Sequence, residues 1–142
     1  MTKIDDGIQC RYVGSHRQEK TTSLEIKPTA PKPDFARTVA LGVLGERIGR
    51  YHSTPHFTQR VKEREFDVFD IEYAIRNGVC LGEGIFCEKY RNFKYTFRAN
   101  IEGIDFDAVF ALSADDDFIR SPLLILITGC FKTDSGKRIR SY

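Results

Sequence analysis

A chain of 142 residues that is 41% hydrophobic and 12% aromatic can build one ordinary core, which excludes both a disordered chain and a multidomain one. A formal net charge of +2 excludes attraction of nucleic acid by the molecule as a whole, so any such role must rest on a local patch. No apolar run approaches the ~20 residues of a membrane span, and Met1-Thr-Lys-Ile-Asp-Asp-Gly7 carries no apolar signal core.

The expectation is therefore a cytoplasmic protein with no membrane contact. Cys10, Cys80, Cys87 and Cys130 form no close pair of the kind zinc sites use, so no metal and no cofactor is expected. Free thiols fit a reducing compartment, although Cys80 and Cys87 are near enough in sequence to pair.

Residues 1–33 read as an N-terminal arm ending in a stiff linker, Lys27-Pro-Thr-Ala-Pro-Lys-Pro33. Within the arm, Ile8–Val13 and Ser23–Ile26 alternate weakly, as short edge strands or as part of a mobile segment. Residues 34–142 form a single α+β domain. Asp34 is placed to cap a helix over about 35–50, with Val39, Val43, Leu44 and Ile48 on its apolar face. Gly42, Gly45 and Gly49 weaken that helix unless a neighbouring backbone comes close.

Ser53 or Thr54 caps a second helix over 55–66, with Pro55 in its first turn and Phe57 and Val61 pointing inward. Asp67 caps a third, in which Val68, Ile71, Ala74 and Ile75 are buried and Asn77-Gly78 supplies a left-handed stop. From residue 79 the period changes from near four to two. A strand over about 80–90, broken by Gly82 and Gly84, precedes a hairpin whose turn is Asn100-Ile-Glu-Gly103. Phe93, Tyr95, Phe97 and Ala99 face one way in its first strand, and Ile104, Phe106, Ala108, Phe110 and Leu112 match them in its second. After a polar, acidic loop over 113–121, the unbroken run Leu123–Ile127 reads as a strand buried on both faces. The outline is helices on an antiparallel sheet of about four strands.

On the second helix His56, Arg60 and Arg64 fall at i, i+4 and i+8, which stacks an imidazole and two permanent cations on one face. An imidazole titrates near neutrality and can act as base or acid, and guanidinium groups bind phosphate through paired hydrogen bonds. The three residues equally fit a structural role, capping and ion-pairing the helix onto its sheet. Tyr90, Phe93, Tyr95 and Phe97 invite base stacking. Three of them nevertheless share the apolar alternation of the hairpin, which points to the core.

Taken together, His56-x3-Arg60-x2-Glu63-Arg64, the helix capped at Asp67, the hairpin Tyr95–Arg98 with Ala108–Phe110, and Leu126-Ile-Thr128 resemble the "domain of unknown function 4258" family. That family is similar to the RelE/ParE/BrnT group of bacterial toxins. The resemblance covers roughly residues 55–133. One departure stands out: the family places Gly after the Glu-Arg pair and Ser or Thr as the next cap, whereas this chain has Glu65, Phe66 and Asp67, so its inter-helix turn needs another solution.

The resemblance implies a RelE-like fold and an action on RNA or the ribosome, with a small antitoxin-like protein as a second partner. Metal-independent RNA cleavage requires a base, an acid and cations for the phosphorane. Candidate catalytic residues are His56, Arg60 and Arg64. Lys94, Arg98, Thr128 and Lys132 are candidates for nucleic-acid binding. A non-catalytic module that binds protein or nucleic acid is the alternative.

Overall fold

A computed structural model of the chain describes residues 28–132. The elements run α1 (Pro33–Glu46), β1 (Arg50–Ser53), α2 (Pro55–Lys62), α3 (Val68–Asn77), β2 (Val79–Cys80), β3 (Ile85–Cys87), β4 (Asn92–Ile101), β5 (Ile104–Ser113) and β6 (Leu123–Phe131). The expected strands at Ile8–Val13 and Ser23–Ile26 lie outside the described residues, as do Cys10 and the basic cluster at Lys137, Arg138 and Arg140.

The class is α+β, but the sheet is larger than the sequence pattern indicated. It has six strands in the order β1-β6-β5-β4-β2, with β3 also on β4. It is mixed, because β1 runs parallel to β6 while the other pairs are antiparallel. One of the two extra strands arises because the glycine-interrupted stretch expected as one strand forms two, β2 and β3. The other, β1, is only four residues long and carries no apolar alternation, so backbone pairing with β6 defines it.

One face of the sheet meets all three helices. Phe93, Tyr95 and Phe97 of β4, with Phe106, Ala108, Phe110 and Leu112 of β5 and Leu124 and Leu126 of β6, pack into one core with Ala36, Val39, Val43, Phe57, Ile71 and Ile75. This settles the aromatic alternation: Tyr95 and Phe97 both stack on Phe110 inside the protein, and their burial leaves no ring face free for a base. The β6 run is not buried on both sides. Leu124 and Leu126 are buried, whereas Leu123, Ile125 and Ile127 are half-buried on the opposite face.

The β4–β5 hairpin turns where expected. Glu102 and Gly103 both have positive φ, 54° and 87°, the signature of a two-residue type I′ loop, and the Asn100 side chain accepts a 3.0 Å hydrogen bond from the Gly103 amide.

Helix boundaries follow local chemistry with several corrections; α1 ends at Glu46 rather than near residue 50, which leaves Ile48 outside the helix and exposed. Lys32 rather than Asp34 is the N-cap of α1, since Pro33 takes the first helical position. Gly78 ends α3 in an extended conformation, not a left-handed one. Glycine is needed there for room: a Cβ would collide with the Arg98 carbonyl oxygen.

Arg37, which no motif singled out, closes the end of α3. Its Nη1 donates to the carbonyls of Ile75 at 2.7 Å, Gly78 at 3.1 Å and Arg76 at 3.2 Å, and its guanidinium lies over the Phe97 ring. The start of α3 is a reciprocal capping box between Asp67 and Asp70.

Candidate functional site

The second helix is shorter than its pattern, and its end explains how the turn is made without glycine. The Arg64 amide donates to the Val61 carbonyl and the Glu65 amide to the Arg60 carbonyl, a Schellman closure. Arg64 itself occupies the left-handed position, with φ 59°. It has therefore left the helix, and the expected His56–Arg60–Arg64 stack reduces to His56 and Arg60. An arginine thus makes the left-handed turn that a glycine would make without steric cost.

The N-terminus of α2 is seated on β6. Thr54 follows directly after β1, and its amide donates to the Leu126 carbonyl at 3.1 Å. Its hydroxyl donates to the Ile127 carbonyl at 3.1 Å and accepts from the Phe57 amide at 3.1 Å. Opposite β5 the register slips at this point: Val109 faces Thr128 while Phe110 faces Leu126, leaving Ile127 as a bulge. Bulges redirect side chains and recur beside functional sites. Thr128 thus lies one residue from the bulge, and half-buried His56 lies two residues from the threonine bound to it.

The candidate cations are mostly matched by carboxylates. Arg60 Nη2 meets Glu65 Oε1 at 3.1 Å, while the buried Nε of Arg60 has no hydrogen-bond partner. Arg98 forms a bidentate pair with Asp107, at 2.7 and 3.0 Å, across the hairpin. That hydrogen-bonded carboxylate pushes the Arg98 pKa above its already high ordinary value. Lys132 reaches the same Asp107 at 3.8 Å.

Arg98 and Lys94 project from the sheet face opposite the helices, in the rows on either side of the Thr96–Val109–Thr128 row. The structure therefore groups Lys94, Arg98, Thr128 and Lys132 on or beside one sheet face. It groups His56 and Arg60 on α2, which packs on the other face of the sheet through Phe57, so the two sets lie on opposite sides of the sheet.

Asp107 and Glu65 are residues that sequence reasoning missed. Asp107 was legible in principle, because once the turn is fixed, residues equidistant from it pair and Arg98 meets Asp107. Glu65 has no such signal, since its approach to Arg60 depends on the left-handed Arg64.

The acidic loop holds itself together. Asp115 binds Arg91 through both oxygens, at 3.0 Å each, Asp116 pairs with Arg50, and Asp117 accepts from the amides of Ile119 and Arg120. Among the described residues no three His, Cys, Asp or Glu side chains gather as a metal-holding group. Cys80 and Cys130 are free thiols, so Cys80 does not pair with Cys87. Burial pushes the Cys80 thiol above its ordinary pKa. No helix among the described residues is long and apolar enough to cross a membrane.

No protein-family model matches the chain, and comparison with curated proteins and with solved structures likewise finds no match.

Proposed function

We propose that this chain is a cytoplasmic RelE-like domain that acts on RNA at the junction of α2 and β6, as a metal-independent endoribonuclease. The observation that carries the reading is the docking of the α2 N-terminus onto the β6 bulge. It ties the chain two residues before His56 directly to β6 at the bulge. In this reading His56 takes the proton from a 2′-hydroxyl or returns one to the departing 5′-oxygen. The 2′-oxygen attacks phosphorus and a cyclic phosphate forms. Arg60, one turn along, supplies positive charge to the phosphorane, and Thr128, with Lys94 and Arg98 on the opposite sheet face, belongs to the set that would bind the rest of the RNA.

A second reading has its own support. Phe69 and Tyr73, one turn apart on α3, are 78% and 46% exposed, and Arg60, Arg98 and Lys132 are already engaged by carboxylates. Both facts suit a module that binds protein without catalysis.

Incubating purified protein and a His56→Ala variant with RNA at neutral pH in EDTA separates the readings. The expected result is cleavage by the wild type and a loss of about 100-fold or more in the variant. Absence of wild-type cleavage rejects the ribonuclease reading and leaves the binding module. Equal cleavage by both proteins removes His56 from the chemistry.

A further inference from the structure

The hydroxyl of Thr54 makes two hydrogen bonds of different kinds. As an acceptor it caps the Phe57 amide, which any Ser, Thr, Asn or Asp can do at an N-cap. As a donor it binds the carbonyl of Ile127, the bulged residue of a strand 73 positions away. A carboxylate cannot make the second bond, because it has no proton to give at neutral pH and would face the carbonyl oxygen with its own charge. Capping therefore does not account for a hydroxyl at this position. The link to the bulge does.

We infer that Thr54 is a positioning residue: its hydroxyl, donated to the Ile127 carbonyl, fixes the start of α2 against the β6 bulge and so sets where His56 stands relative to the sheet. The inference rests on the proposed ribonuclease site for its catalytic consequence. Its geometric content stands apart from that site. The Thr54 amide bond to the Leu126 carbonyl keeps the chain at the sheet edge when the hydroxyl is lost. The start of α2 is then less closely held although Phe57 stays in the core, and a displacement of about 1 Å suffices to cost on the order of 100-fold in rate.

Three variants separate positioning from capping. Thr54→Ser keeps both bonds, Thr54→Asp keeps the cap and loses the link, and Thr54→Val loses both. In RNA cleavage, Thr54→Ser is expected to stay within about threefold of wild type. Thr54→Asp, still folded by circular dichroism and urea midpoint, is expected to lose about 10- to 100-fold in kcat with KM little changed. Cleavage by Thr54→Asp at the wild-type rate overturns the inference, because capping is then all the residue does.

A readout independent of activity is the nitrogen–proton correlation spectrum. Thr54→Asp and Thr54→Val are expected to shift the Ile127 and Thr128 amide signals and the His56 ring signals, and Thr54→Ser to leave them in place. Unchanged signals in Thr54→Asp overturn the positioning role whether or not the wild type cleaves RNA. Shifted signals in a protein that does not cleave support positioning while rejecting the ribonuclease reading.

Discussion

Asp117 shows how a single acidic residue can be occupied by the backbone. Its carboxylate accepts the amides of Arg120 and Ile119, and those bonds hold its pKa below the ordinary carboxylate value. Because the folded-state pKa lies below the unfolded one, the stabilisation is fully present above about pH 4. It is lost as pH falls through the folded value. Asp117→Ala is therefore expected to lower the urea midpoint by a constant amount between pH 7 and 5. The gap to wild type should close below about pH 4, which a set of urea titrations at several pH values would check. A gap that persists unchanged in acid would remove the ionised carboxylate as its cause. At this scale the sequence was a partial guide. The cap at Asp67, and that at Thr54 as one of two neighbouring candidates, were legible because each needs only one capping side chain and an amide three residues on. The left-handed Arg64 was not, because nothing in an arginine advertises positive φ; tertiary closure imposes it.

Between elements, Arg37 adds polar bonds to the apolar packing that Ala36, Val39, Ala40 and Val43 of α1 supply. Its three bonds to the carbonyls at the end of α3 satisfy groups that a helix C-terminus leaves open. Arg37→Leu retains much of the stem that packs near Phe97 and loses every one of those bonds. The expected cost is about 1–3 kcal/mol of unfolding free energy, measured by urea denaturation; a change within error would mean that water replaces the guanidinium without penalty. Periodicity gave the three helices and the hairpin because each has its own repeat and its own stop. β1 escaped it because Arg50–Ser53 has no repeat at all. Such a strand is visible only in its partner, β6.

Across the described residues, the candidate phosphate-binding cations are largely matched by carboxylates. Arg60, Arg98 and Lys132 each face a carboxylate, and Asp107 is shared by two of them while being 9% exposed. RNA binding through these three residues is accordingly expected to be weakly salt-dependent. The slope of log affinity against log salt should be below about 3 in magnitude, because few phosphates can be neutralised without breaking an internal pair. A steeper slope, read from filter binding between 50 and 200 mM salt, would locate additional cationic contacts beyond these residues. The near-neutral total charge made this legible from composition. The pairing itself was not, since Arg60 with Glu65 and Lys132 with Asp107 depend on turns and strand ends.

The parallel pairing of β1 with β6 also sets a timetable. Thr54 and its partner Ile127 are 73 residues apart, and at about 5–20 residues per second a ribosome needs roughly 4–15 s to make the chain between them. During that interval α2 has its cap and its apolar face but no strand to sit on. The loop it must close is among the longest in the molecule and is closed late. Assembly of the α2–β6 junction is thus withheld until translation of β6, so the chain carries its proposed RNA-directed site in an unassembled form throughout most of its own synthesis.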